Sequence, residues 1–196
     1  MHSESKQQLI LASGSPQRRR LLAEAGYTFE VIVPGEHAEC GPDEGEKPVD
    51  YAARMAYQKA ADVILRVPAG VVIACDTIVD CGGQILGKPA DVADARRMLL
   101  ALCGQVHYVH SGLCVWPRPQ GPPVVRTAET RLVMNPLSTE GLEEYLASGQ
   151  WAGKAGAFGY QDRTGWLKIV AGSESNVIGL PLELLAEMLA EVSKSS

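Results

Sequence analysis

The chain lacks several things, and each absence narrows its function. Its five cysteines form no CxxC pair and are odd in number, so a reduced, cytoplasmic setting is expected. No stretch approaches the ~20 apolar residues of a membrane span, and the polar start MHSESKQQ has no apolar signal core. There is no basic surplus: the net charge is −5 over 196 residues. A broad nucleic-acid surface needs a basic stripe, so no nucleic-acid polymer and no membrane is expected as a partner. Histidine is sparse, and His107 and His110 stand at an odd spacing within one expected strand. They face opposite ways and make a poor shared metal site, and no other cluster has zinc-ligand spacing. No repeat and no second-domain linker interrupts the chain. With 46% hydrophobic and 21% charged residues it reads as an ordinary globular protein. The expectation is a single domain over 1–196 with an ordered core at 8–192, as one body or as two lobes around a central cleft.

What is present begins at Leu9–Leu22, LILASGSPQRRRLL. Leu9–Leu11 reads as a strand, Ala12-Ser13-Gly14 as a turn, and Ser15 as the N-cap of a helix with Pro16 at its first position, running to Ala25 before Gly26. Arg18, Arg19 and Arg20 in that first turn oppose the helix dipole, whose free N–H groups already attract anions. A bound phosphate chain would remove the conflict; the plainer alternative is a solvated basic patch.

Thr28–Val33 reads as a second strand and Pro34–Lys47 as an acidic, Gly- and Pro-rich loop. The loop is either merely solvated or supplies one carboxylate to a divalent cation. A helix from Pro48 to about Arg66 carries Lys59 on a face of small apolar residues, where it either snorkels or reaches a phosphate. Val71–Asp80, VVIACDTIVD, is the strongest strand signal and should lie centrally, buried on both faces. Alternation puts Asp76 with Val72, Ala74 and Ile78, and Thr77 with Ile73 and Cys75. A carboxylate in such a run needs a metal, a lysine or a catalytic reason, or else backbone N–H groups at a strand end.

Cys81–Gln84 reads as a hairpin turn into Ile85-Leu86. Residues 82–88 match GxxxxGK, but Pro89 replaces Ser or Thr and disfavours a helix at Lys88, so the P-loop reading fails. Lys88 is instead a lone cation delivered beside the Asp76 strand. Asp91 caps a helix ending near Cys103-Gly104. Val106–Trp116 and Val124–Met134 are long strands, and Ser138 or Thr139 caps a helix over Glu140–Ala147. Ala152–Gln161, AGKAGAFGYQ, allows close backbone approach around Lys154, whether for a ligand or for a tight loop. Phe158 and Tyr160 are core residues or stack on a base, and Gln161 carries the amide that reads a base edge. Trp166–Val170 is a strand, and Asn176–Leu180 leads to a last helix from Pro181 to about Glu191.

Taken together, LASGSPQRRRLL (11–22), ACDTIV (74–79), GKP (87–89), GKAGAFGYQ (153–161) and GLPLELL (179–185) resemble the Maf family of nucleoside triphosphate pyrophosphatases in order and spacing. The resemblance implies an α/β fold with an elongated, strongly bent mixed sheet flanked by helices, akin to inosine triphosphate pyrophosphatase, and frequent homodimers. It implies metal-assisted hydrolysis of a nucleoside triphosphate to monophosphate and pyrophosphate, with Mg²⁺, Mn²⁺ or Co²⁺ as cofactor. By position, Asp76 matches the general base, Ser13, Ser15 and Arg18 the phosphate loop, and Lys59, Lys88 and Lys154 the phosphate-facing lysines, Lys88 being counted with Asp76 as catalytic. Glu39 matches the family's acidic residue that holds the metal or positions the water, with Asp76 as the other metal carboxylate. Thr77 and Gln161 match specificity positions of the branch acting on dTTP and UTP. Gln17 stands where that branch usually has arginine, a departure that bears on base preference. The competing expectation is a nucleotide-binding regulator of cell division without turnover.

Overall fold

The computed structural model describes residues 8–119, 121–162 and 164–194. A seven-stranded mixed sheet runs through it in the order β2-β1-β3-β5-β6-β7, with β4 paired to β3. The strands are β1 (Leu9–Leu11), β2 (Phe29–Val31), β3 (Gly70–Cys81), β4 (Gln84–Leu86), β5 (Val106–Arg118), β6 (Val124–Met134) and β7 (Leu167–Ala171). The helices are α1 (Pro16–Glu24), α2 (Pro48–Ile64), α3 (Val92–Leu102), α4 (Thr139–Ser148), α5 (Glu174–Ile178) and α6 (Leu182–Lys194). β1 is parallel to β2 and β3, and the other pairings are antiparallel. Among the described residues no helix is long and apolar enough to cross a membrane.

β3 organises the fold. Its register with β5 is continuous from Gly70 to Asp80, which occupies one edge of the strand. The other edge is shared: β1 pairs with Val71–Ile73 and β4 with Val79–Cys81. Between them, residues 74–78 have no strand beside them. A sheet interrupted in this way opens a notch, and the expected aspartate lies in it.

Alternation along β3 then sorts the layers. Val72 and Ala74 pack under Ala56, Ala60, Val63 and Ile64 of α2. Ile73 and Cys75, on the other face, join Leu21 and Leu22 of α1 and Leu185, Met188 and Val192 of α6. Val79 on that same face belongs to a separate core with Met98, Leu99 and Leu102 of α3 and Leu142, Tyr145 and Leu146 of α4. Thr77 stands between these two cores. The fold therefore has a seam where the chemistry-bearing residues of β3 emerge.

The local signals account for most elements. Ser15, Asp91 and Ser138 cap α1, α3 and α4 through side-chain acceptors. Gly82 and Gly83, with φ of 62° and 86°, make the tight turn between β3 and β4. No helix starts at Lys88, as the reading of Pro89 requires; α3 begins at Val92. Several boundaries differ from expectation, most plainly β2, which is only Phe29–Val31, α2, which stops at Ile64, β5, which runs on to Arg118, and α6, which runs on to Lys194; a 3-10 turn at Glu36–Ala38 interrupts the acidic loop. α5 was not anticipated. Ser173 caps it by accepting from the Asn176 N–H, and its buried Asn176 amide bridges Val109 O and Thr130 Oγ1 at 3.1 and 2.9 Å.

A close backbone approach sets the height of α2 above the sheet. A Cβ at Gly112, opposite Asp76 on β5, would lie 2.1 Å from the Ala52 carbonyl oxygen. Ala52 and Lys59 are two turns apart on the same helix face, so this contact also fixes how far Lys59 reaches. Gly112→Ala is expected to force the helix away and cost about 1–3 kcal/mol, read as a fall of several degrees in Tm, with weakened turnover alongside; an unchanged Tm would contradict it.

Candidate active site

The notch in β3 opens into a cleft of about 690 Å³. Its walls come from separated parts of the chain: the β1–α1 turn, the acidic loop, α2, β3, the Gly87-Lys88 turn, residues 153–155 with Phe158, and the end of α5 with Gly179. Ser13, Ser15, Gln17, Arg18, Glu39, Lys59, Asp76, Thr77, Lys88 and Lys154 all line it. The side chain of Gln161 lies outside the described residues, although its backbone belongs to the 3-10 turn Tyr160–Asp162.

Lys59 is the buried cation of the site, its side chain only 8% exposed. An ammonium at that depth needs charged partners. It has two: Asp76 Oδ1 at 2.6 Å and Glu39 Oε1 at 3.0 Å. The hydrogen bond and charge of Lys59 hold the Glu39 carboxyl below its ordinary range, against the effect of burial, with Lys88 and Arg18 adding to the shift. Asp76 is thus the strand carboxylate that found a lysine. Both carboxylates already converge on a single cationic centre. That donor set suits a hard divalent ion, since Mg²⁺ is commonly held by one or two carboxylates and substrate phosphates. Among the described residues no group of three or more His, Cys, Asp or Glu side chains is placed to hold a metal.

Arg18 is fixed from the other face. Its Nε donates to Gly179 O at 2.8 Å, Nη1 to Ser13 Oγ at 3.4 Å and Nη2 to Thr77 Oγ1 at 3.3 Å. Among the described residues no carboxylate takes it. Thr77 is held in turn by Ser111 Oγ at 2.8 Å. Ser13 Oγ also accepts from the Ser15 N–H at 3.1 Å, closing the turn before α1. The expected arginine cluster does not act as one: Arg19 is exposed and its Nη2 meets Gly14 O at 3.4 Å, while Arg20 pairs with Glu24 at 3.6 Å. One helical residue step is 100°, so three consecutive arginines cannot share one face.

Lys88 lines the cleft with no hydrogen bond or ion pair among the described residues. Its turn is tied to the glycine-rich stretch by Gly156 N–H donating to Gly87 O at 3.0 Å. Gly156 has φ of 66°, and a Cβ there would press on Val79 Cγ2 at 3.1 Å and the Phe158 ring at 3.0 Å, so glycine is required. Lys154 is paired with Asp162, at 2.6 Å to Oδ1 and 2.5 Å to Oδ2. Phe158 is buried in the α3–α4 core while still lining the cleft, and His107 meets its ring edge-on. His110 points away from His107, toward Asp80 at 3.5 Å. Of the acidic loop, Glu36 and Glu39 reach the cleft, whereas Glu46 is taken by Arg54 at 2.6 Å.

Four participants escaped the sequence reading. The Gly179 carbonyl is a backbone group and left no side-chain signal. Ser111 could have been noticed as a hydroxyl within the apolar run GLCV and its neighbours. Tyr51 lines the cleft and donates to Cys40 O at 2.9 Å; burial and nearby Asp76 raise its phenol pKa. Asp162 stood next to Gln161 and was passed over.

This arrangement can bind several phosphates and hold a carboxylate against them. The model of Maf-like proteins matches residues 8–192. A dTTP/UTP pyrophosphatase of Rhodopirellula baltica is 48% identical over 99% of this chain and 86% of its own length. One from Sphingopyxis alaskensis is 43% identical over 94% of this chain and 96% of its own. Among solved structures, a HAM1 protein from Coxiella burnetii aligns over 94% of this chain and 99% of its own at 16% identity and a TM-score of 0.49. With its family motifs gathered on one cleft and the match spanning nearly its whole length, the chain belongs to the Maf family.

Proposed function

We propose that this protein hydrolyses a nucleoside triphosphate, dTTP or UTP or a base-modified pyrimidine counterpart, to the monophosphate and pyrophosphate. The observation that carries the reading is the meeting of Arg18, Lys59, Lys88 and Asp76, four residues from four segments, in one cleft. The relatives named dTTP/UTP pyrophosphatase support the substrate class.

Water attack on a triphosphate is opposed by the substrate's own negative charge. Among the described residues Arg18 and Lys88 lack carboxylate partners, and they present their charge to the phosphates. Ser13 and Ser15 contribute hydroxyls at the α1 N-terminus, where backbone N–H groups favour an anion. Asp76 Oδ1 is engaged by Lys59, leaving Oδ2 to accept the proton of the attacking water. The water oxygen bonds to the α-phosphorus, the bridging oxygen departs with pyrophosphate, and the proton stays on Asp76. Asp76 and Glu39 would hold a divalent cation, which would supply further charge neutralisation at the phosphates. Thr77 and Gln161 are assigned to base recognition, and Gln17 to a modified preference. A homodimer in a reducing cytoplasm completes the reading; all five cysteines are free.

Three outcomes are expected. In a panel of normal and base-modified triphosphates, pyrophosphate release should be greatest with pyrimidine substrates, require Mg²⁺, Mn²⁺ or Co²⁺, and stop on chelation. With ¹⁸O-water the label should enter the monophosphate; label found only in orthophosphate would exclude attack at the α-phosphorus. Asp76→Asn should lower kcat by about 10²–10⁴-fold while nucleotide still binds by calorimetry. Wild-type protein that binds nucleotide and never turns it over would favour a regulator of cell division instead.

A further inference from the structure

Four cationic side chains and three carboxylates line the cleft. The cations are not equivalent. Among the described residues Arg18 and Lys88 are free of carboxylates, Lys59 is shared by Asp76 and Glu39, and Lys154 is claimed by an anion that stands behind the lining. That anion is Asp162. Both its oxygens contact the Lys154 ammonium, and its side chain is only 10% exposed.

Asp162 is itself anchored. The Tyr145 hydroxyl of α4 donates to its Oδ2 at 2.9 Å. Tyr145 belongs to the α3–α4 core and packs edge-on against Trp166, with ring centroids 5.1 Å apart. Burial and the neighbouring Asp162 push the Tyr145 phenol up, so it stays a donor. The carboxylate is therefore held ready whether or not Lys154 is present.

We propose that Asp162 is an internal competitor for Lys154: a built-in carboxylate that occupies the ammonium until substrate phosphate takes it, and reclaims it when pyrophosphate leaves. The inference rests on the cleft being the triphosphate site. Two opposing effects of the pair can be weighed. Pinning Lys154 saves only the entropy of ordering one long side chain. An ammonium released to a phosphate in a partly buried cleft gains more than that, because charge attraction at close range is several times stronger there than in bulk water. The competition therefore outweighs the pre-ordering. A group free for only a fraction of the time weakens apparent affinity by that fraction. Asp162 thus acts as a positioning residue that lowers affinity for both ends of the reaction.

The experiment is titration of inorganic pyrophosphate into the folded full chain by calorimetry, with steady-state kinetics on dTTP from the same samples. Asp162→Asn should bind pyrophosphate about tenfold more tightly and show a lower KM without a higher kcat. Asp162→Ala, which also leaves the ammonium unclaimed, should act in the same direction if the Asn variant does not fold. In a Lys154→Met background the Asp162 change should have no effect on pyrophosphate affinity, which separates competition from general loosening of the loop. Unchanged or weaker pyrophosphate binding in both Asp162 variants, or an equal gain without Lys154, overturns the assignment. Absence of any turnover by wild-type protein would instead count against the triphosphate reading, so the two failures are distinguishable.

Discussion

A strand can be paired along only two edges, and β3 leaves part of one edge empty. That constraint governs the rest of the site. β1 is too short to cover residues 74–78, and β4 turns back after Cys81 to cover only the last three. Asp76 and Thr77 point to opposite faces, yet both open onto the same gap. Lys59 can approach from the α2 side and Arg18 from the α1–α6 side, each meeting its partner at the notch. Had β1 and β4 met, the carboxylate would have been sealed in apolar surroundings at prohibitive cost.

The charges in the cleft answer to this geometry. Lys59 is deep enough that it cannot stand without anions, and it fastens Glu39 of a loop to Asp76 of a strand. Arg18 is satisfied by a carbonyl and two hydroxyls, partners that orient a guanidinium without neutralising it. Lys88 projects from a turn and, among the described residues, has no partner to hold it. The site combines two cations paired with carboxylates, Lys59 and Lys154, with two that retain their field, Arg18 and Lys88, which suits a ligand of high negative charge.

Much of this could be read in the sequence because the signals were local. The caps at Ser15, Asp91 and Ser138, the apolar run of β3, the Gly82-Gly83 turn and the Pro89 veto on a P-loop each depend on a few neighbouring residues. The position of Asp76 within an apolar strand announced a need for a counter-ion, and Lys59 on a small-residue helix face was an available one. What could not be read was non-local. Nothing near Gly179 says that its carbonyl will meet Arg18 across 161 positions of chain. The arginine triplet looked like a unit because neighbours in sequence were treated as neighbours in space. Asp162 was invisible for a similar reason: its meaning lies in Tyr145 and Lys154, which only the folded loop brings to it.

The bond from Gly156 N–H to Gly87 O joins two stretches that otherwise look like independent loops. Lys88 and Lys154 therefore ride on a single rigid jaw rather than on two separate fingers. Lengthening either stretch by a residue would disturb both ammonium groups together, whereas the described residues of the Pro-rich connection between β5 and β6 line no part of the cleft.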